Sequence, residues 1–318
     1  MPSIKAVVVD PAAPGRLAIQ EVDAPVPLPN QVLIRVAAAS LNRGEIRNAG
    51  TAPAGSRIGW DVAGTVEEAA ANGSGPRAGT RVVGLSFPPM GWAELVALPT
   101  DYVAELPDSV TFSQAAALPV AGLTAIRTLE KRGSLLERRA LITGASGGVG
   151  HLAVQIARAE GAHVVGQVRR ADSVALVREA GAHEVVVSED ASGAAAYGPY
   201  DVIVDSIGGQ VLANVLTMVA PGGVCVTYGA TASAEATIDV ARFYRAGLPT
   251  FAGFQMFSAF PEASVPPAAT DLRRLANLVA DGRLRPHIEV EAPWTEVGKL
   301  AVDLTERRFD GKAIILIG

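Results

Sequence analysis

The chain is short of cysteine and histidine and has no basic tract. Its single cysteine, Cys225, excludes an intrachain disulfide, a CxxC redox pair and a multi-cysteine zinc site. The four histidines, His151, His163, His183 and His287, lie far apart, which argues against a dedicated metal centre. Lys and Arg number 27 against 32 Asp and Glu, a formal net charge of −5, so nucleic acid is not expected as a partner. The apolar run within residues 1–10 is too short for a signal segment. The longest apolar stretch, 115–126, contains Pro119 and Gly122 and falls short of the roughly 18–20 residues a membrane span requires. These absences predict a soluble, cytoplasmic protein with no membrane partner.

What is present is ample. At about 150 residues per domain, 318 residues predict about two domains. Apolar residues make up 49% and charged ones 19%, a balance that folds rather than stays disordered. The first third reads as β-rich. Lys5 to Val9 is a strand candidate, and Val32, Ile34 and Val36 alternate with Leu33, Arg35 and Ala37 at a strand's period of two. Breakers from Pro25 to Pro89 divide this region into the short strands of a small barrel or sandwich.

From about Val120 the pattern changes to strand, turn, helix, strand. Ala140–Thr143 is an apolar strand candidate, followed by a glycine turn and by Val149, Leu152, Ala153, Ile156 and Ala157 at helical spacing. Strands follow at Ala162–Val168, Glu184–Val187, Asp201–Asp205 and Val224–Thr227. Asp172 is a candidate cap for the helix carrying Val174, Val177 and Ala180. Such alternation predicts an α/β domain with a parallel sheet covered on both faces. Near the C-terminus, Leu272–Val279 and Val297–Thr305 suit helices, and Ala313–Ile317 suits a strand.

The turn itself carries chemistry. Gly144, Gly147 and Gly150, with Ser146 between them, form GxxGxxG between a predicted strand and a predicted helix. Absence of Cβ there lets a pyrophosphate approach the N–H groups of Gly147, Gly148 and Val149, at the positive end of the helix. An acidic residue ending the next strand would select NAD through its ribose hydroxyls. This chain instead has Arg169 and Arg170, whose guanidinium groups suit a 2′-phosphate and predict NADPH. Ser206, Ile207 and Gly208 follow one strand's carboxyl end, and Tyr228 and Gly229 the next, where ligands gather in such sheets.

Several segments resemble the medium-chain dehydrogenase/reductase superfamily, in its zinc-independent quinone oxidoreductase branch. Residues 115–125, AAALPVAGLTA, look like its hinge segment, and residues 143–150, TGASGGVG, like its nucleotide turn. Residues 201–209, DVIVDSIGG, resemble the strand below the nicotinamide, and GRLRP (282–286) and GKAIIL (311–316) resemble the C-terminal return. The resemblance implies an α/β protein: a GroES-like β-rich domain over 1–119, a Rossmann-like doubly wound cofactor domain over 120–254, and a return to the first domain over 255–318. It implies an active cleft between domains and a homodimer built through the cofactor domain, with Pro249–Phe254 as its edge. It places Asn42 against the nicotinamide ribose and substrate, Thr124 near the nicotinamide end, and Phe254 at the carboxamide.

Zinc-dependent relatives carry a cysteine ligand and a Gly-His-Glu motif; the matching stretch here is Gly59-Trp60-Asp61, without a ligand histidine. Without metal, an unactivated alcohol is a poor hydride donor, so the expected substrate is a quinone or an α,β-unsaturated carbonyl reduced by NADPH. An enoyl reductase of thioesters and an NADPH-binding sensor with little turnover are the alternatives. The tyrosines that many quinone oxidoreductases carry after the Asn42 position are missing from residues 43–51. Glu45 and Arg47 either reach the cleft or, more commonly for such charges, are solvated. Trp60 either walls the pocket or fills core. Cys225 reads as an inert strand thiol and His151 as packed or exposed. The loops 50–58 and 257–267 are expected to line the pocket.

Overall fold

The structure is a computed structural model that describes residues 2–259 and 267–318. Most of the 257–267 loop therefore lies outside the described residues. The chain divides into two compact units, Met1–Leu123 with Phe260–Gly318, and Thr124–Ala259.

The first unit is built on a seven-stranded sheet around the long strand Gln31–Ser40. In that strand Val32, Ile34 and Val36 are buried while Arg35 is exposed and makes a two-pronged ion pair with Glu67 (2.8 and 2.9 Å). The alternation read from sequence is thus the division between core and solvent. The Asp61–Glu68 strand pairs antiparallel with Gln31–Ser40, bringing Ile34 opposite Val66. Lys312–Leu316, the last strand of the chain, also pairs antiparallel with Gln31–Ser40, setting Ile315 opposite Ala39. The Val297–Thr305 helix turns Val297, Leu300, Ala301 and Leu304 into the same core. A hairpin of Ser3–Val9 and Leu17–Asp23 completes this β-rich unit.

The second unit is a six-stranded parallel sheet. Its spatial order is Glu184–Val187, His163–Val168, Arg139–Ile142, Tyr200–Asp205, Val219–Thr227, Thr250–Gly253. Successive residues such as Val164 and Val165, or Val202, Ile203 and Val204, are all buried, as a sheet covered on both faces requires. Arg139–Ile142 comes first in sequence yet sits in the middle. The chain runs outward from it in one direction, then returns to lay Tyr200–Asp205 on its other side. That reversal creates a switch point, and ligands of open α/β sheets bind at the carboxyl ends of the strands flanking it.

One local expectation is corrected. Asp172 does not cap a helix: it lies inside a short turn, Ala171–Ser173, that precedes the Val174–Glu179 helix. Its carboxylate instead accepts from Arg170 Nε (3.0 Å) and Ser173 Oγ (3.2 Å). The adjacent guanidinium and the Ser173 groups thus hold this exposed carboxylate, and the Val174–Glu179 helix begins beyond it. Among the described residues no helix is long and apolar enough to cross a membrane.

Candidate functional site

The glycine turn sits at one flank of the switch point. Its strand ends at Ile142, and the helix Gly148–Ala159 starts immediately after the turn, with Gly147 extended at the N-cap. First-turn N–H groups have no earlier turn to bond, so those of Gly148 and Val149 are available to an anion. Gly150 is where the helix presses closest on the strand end: a Cβ there would stand 2.3 Å from Gly144 O and 2.9 Å from Ala145 Cα. The turn is braced from the neighbouring strand. Gly144 N–H donates to Gln167 Oε1 (3.1 Å), and the buried Gln167 in turn donates from Nε2 to Ser188 O (2.6 Å).

The other flank is organised by one carboxylate. Asp205, fully buried, accepts on Oδ1 from Thr143 Oγ1 (2.8 Å) and Ile207 N–H (3.3 Å), and on Oδ2 from Gly208 N–H (3.1 Å) and Thr227 Oγ1 (3.4 Å). It therefore ties the ends of three adjacent strands to the loop carrying Ser206, Ile207 and Gly208. Burial raises its carboxyl above the ordinary range, while those four donors pull it back. Ser206 N–H donates to Thr143 Oγ1 (3.1 Å), and Tyr228 shares a hydrogen bond with the Ser206 side chain. Burial pushes the Tyr228 phenol far up, so it stays protonated across the neutral range. Gly229 packs on the Ser206 backbone, and Phe254, buried, donates its N–H to Thr227 O (2.8 Å).

The predicted residues Gly144 to Gly150, Ser206 to Gly208, Tyr228, Gly229 and Phe254 thus gather at the carboxyl ends of four adjacent strands. Arg169 and Arg170 follow the end of His163–Val168, beyond the glycine turn, and both are exposed. Thr124 opens this unit on the Pro119–Glu130 helix, with its side chain buried and its carbonyl taken by Thr128 Oγ1 (2.8 Å). Cys225 is fully buried, and burial raises its thiol well above the usual value. His151 is buried in the helix after the turn.

Asn42 belongs to the first unit, where it heads the helix Arg43–Ala49. Its surroundings hold a polar cluster that pattern reading did not find. Asp61, Glu45 and Lys312 are all buried beside it, 0%, 1% and 4% exposed. Glu45 is corrected here: it is not solvated but buried. Its Oε2 accepts from the Asn42 backbone N–H (2.8 Å) and Nδ2 (3.0 Å), and its Oε1 from Trp60 N–H (2.5 Å). Burial, then the Asp61 charge, push the Glu45 carboxyl up to about 8, against the pull of Lys312 and of its donors. Trp60 is half-buried, its ring against Gly44, where a Cβ would stand 3.0 Å from it. The sequence signal that was available for Glu45 is the capping-box spacing of Asn42 and Glu45.

Among the described residues, no three or more of His, Cys, Asp and Glu converge to hold a metal ion.

A Rossmann-like sheet with a glycine-turn cradle, joined to a GroES-like β-rich unit, defines a nicotinamide-dependent oxidoreductase. Comparison with known proteins is specific. Residues 28–108 match the alcohol dehydrogenase GroES-like domain, and residues 148–272 match the zinc-binding dehydrogenase family. Rat quinone oxidoreductase is 30% identical over 315 residues, covering 93% of this chain and 92% of that protein. Mouse mitochondrial NAD(P)H oxidoreductase RTN4IP1 is 31% identical over 246 residues, 70% of this chain; the match spans only 60% of that longer protein. The crystal structure of a quinone oxidoreductase from Pseudomonas syringae pv. tomato DC3000 superposes with a TM-score of 0.86 at 26% identity, covering 98% of this chain and 99% of that one. The chain belongs to the medium-chain dehydrogenase/reductase superfamily, in its quinone oxidoreductase branch.

Proposed function

We propose that the protein uses NADPH to reduce a quinone or an α,β-unsaturated carbonyl, without metal. The observation that carries the cofactor preference is the exposed Arg169–Arg170 pair after the strand that follows the glycine turn. Two guanidinium groups there complement a 2′-phosphate, and the one carboxylate close by, Asp172, is already paired with Arg170. The names of quinone oxidoreductase relatives support the acceptor class.

Bound there, NADPH would supply the hydride, and a proton would complete the two-electron reduction of the conjugated system. The chain's own residues do the rest. The N–H groups of Gly148 and Val149, with Ser146 and the glycines at 144, 147 and 150, cradle the pyrophosphate; the Gly147 N–H, expected to join them, is instead spent on Gly144 O (3.0 Å), which closes the turn. Ser206, Ile207, Gly208, Tyr228, Gly229 and Phe254, held by Asp205, form the wall along the nicotinamide half, with Thr124 near its end. Asn42 faces the nicotinamide ribose. Alignment of the reacting groups lowers the barrier, and the proton comes from solvent or from a polar side chain at the site.

We read the domains as 1–119, 120–254 and 255–318. We also propose a cytoplasmic homodimer paired through the outer strand of the parallel sheet. That strand, Thr250–Gly253, is the outermost of its sheet among the described residues, and Tyr244, Leu248 and Phe251 around it are exposed.

The test is steady-state NADPH oxidation with a panel of quinones, enones and enoyl thioesters, NADH in parallel, and metal analysis of the active enzyme. Turnover of quinones or enones with NADPH in metal-free protein is expected. Preference for enoyl thioesters would redirect the acceptor assignment, tight NADPH binding without any turnover would favour a sensor, and metal-dependent activity would refute the proposal.

A further inference from the structure

The cluster around Asn42 does more than satisfy buried charge. Lys312 Nζ spends its hydrogens on Leu41 O (3.1 Å), Asn42 Oδ1 (2.7 Å) and Asp61 Oδ2 (3.2 Å). Asp61 Oδ2 also accepts from Ser40 Oγ (2.5 Å) and Asn42 Nδ2 (2.8 Å), and its Oδ1 from Val120 N–H (2.8 Å). The Asn42 amide is therefore gripped at both ends. Its two Nδ2 hydrogens go to Glu45 and Asp61, and its Oδ1 takes one from Lys312. The first-turn N–H of Glu45 goes to the Asn42 backbone carbonyl (3.1 Å).

Charge decides which way this amide points. Rotated by half a turn, it would set its N–H groups against the Lys312 ammonium and its oxygen against the Asp61 carboxylate. Within a buried site that arrangement costs far more than the hydrogen bonds it would keep. The amide is locked with both donor hydrogens consumed inside the protein and one lone pair of Oδ1 left over.

We propose that Lys312 and Asp61 are positioning residues for the nicotinamide end of the cofactor, acting through Asn42. The lock restricts Asn42 to accepting a hydrogen bond from a ribose hydroxyl. It has no hydrogen to give to the carbonyl oxygen of the acceptor, so it neither polarises nor protonates the substrate. This inference rests on the reading that Asn42 faces the nicotinamide ribose, and it adds to it the residues that set its orientation and the chemical sense of its one remaining contact.

A double-mutant cycle between Asn42→Ala and Lys312→Met tests it, read as NADPH affinity by fluorescence titration, with kcat/KM for the best acceptor alongside. N42A should weaken NADPH about tenfold, the worth of one hydrogen bond. K312M should weaken it comparably in the wild-type background and less than about twofold in the N42A background, because the route through Asn42 is already gone. Both variants should bind 2′,5′-ADP, which lacks the nicotinamide ribose, as the wild type does. If K312M does not fold, the D61N/K312M pair, which removes the ion pair as a unit, replaces it in the same cycle. An equal loss from Lys312 substitution in both backgrounds, or a matching loss for 2′,5′-ADP, overturns the proposal. Wild-type protein that binds NADPH but reduces no acceptor overturns the reductase reading alone, since the cycle is still read in affinity. Absence of NADPH binding overturns both.

Discussion

The glycine turn supplies a paired perturbation in which two similar substitutions should separate binding from stability. At Gly147 a Cβ would meet only Gly144 O, at 3.3 Å, and the backbone is extended at φ −78°, ψ 167°, a conformation alanine adopts freely. G147A should therefore fold with stability within about 1 kcal/mol of wild type. Its methyl group, however, adds bulk at the turn beside the N–H groups of Gly148 and Val149 that we propose meet the pyrophosphate. Loss of one charge-assisted hydrogen bond costs about 2 kcal/mol, so NADPH affinity should fall about 30-fold. At Gly150 the same methyl would stand 2.3 Å from Gly144 O, inside contact distance of a backbone atom that cannot rotate away. G150A should push the helix off the strand end and cost about 1–3 kcal/mol of stability in addition to affinity. Isothermal titration with NADPH gives the affinities, and urea unfolding of the apo protein gives the stabilities. G147A binding NADPH as tightly as wild type would remove the turn from the cofactor site. Equal destabilisation by the two variants would refute the steric argument.

Four further outcomes are expected. The R169A/R170A double variant should lose at least about tenfold in NADPH affinity while NADH affinity barely changes; parallel losses would undo the assignment. The raised Glu45 carboxyl makes stability fall as pH rises. The unfolded chain releases this proton in the ordinary carboxyl range near 4.5, whereas the folded protein, with Asp61 and Lys312 facing Glu45, holds it to about 8. Between those limits wild type should lose stability more steeply than E45Q in urea titrations at stepped pH, and coincident slopes would contradict the burial argument. Cys225 should resist a thiol reagent in the native state and label stoichiometrically only in denaturant, because it is fully buried with a raised thiol. Placing an aspartate at Phe251, on the exposed sheet edge, should convert a dimer to monomers by light scattering, and a wild-type monomer would dispose of the dimer proposal.

The sequence by itself determined the second unit nearly completely. Its signals are local: an apolar strand, glycines at fixed offsets, a helix at 3.6-residue spacing, each readable within a dozen residues and each consistent with its neighbours. The Val32–Val36 alternation and the closing strand near Ala313–Ile317 were legible for the same reason. The tertiary structure alone decided what surrounds Asn42. Lys312 and Asn42 are 270 residues apart, and they meet because the final strand pairs with the strand ending at Ser40. Strand pairing of that range leaves no trace in local periodicity. A glutamate such as Glu45 looks like a surface charge until the fold supplies its surroundings, because burying a carboxyl is tolerable only where it can keep its proton and several donors converge on it. Asp205 repeats the lesson on a smaller scale: as one residue in an apolar strand it is unremarked, and only the adjacency of three strand ends makes it the point that holds the loop at the switch.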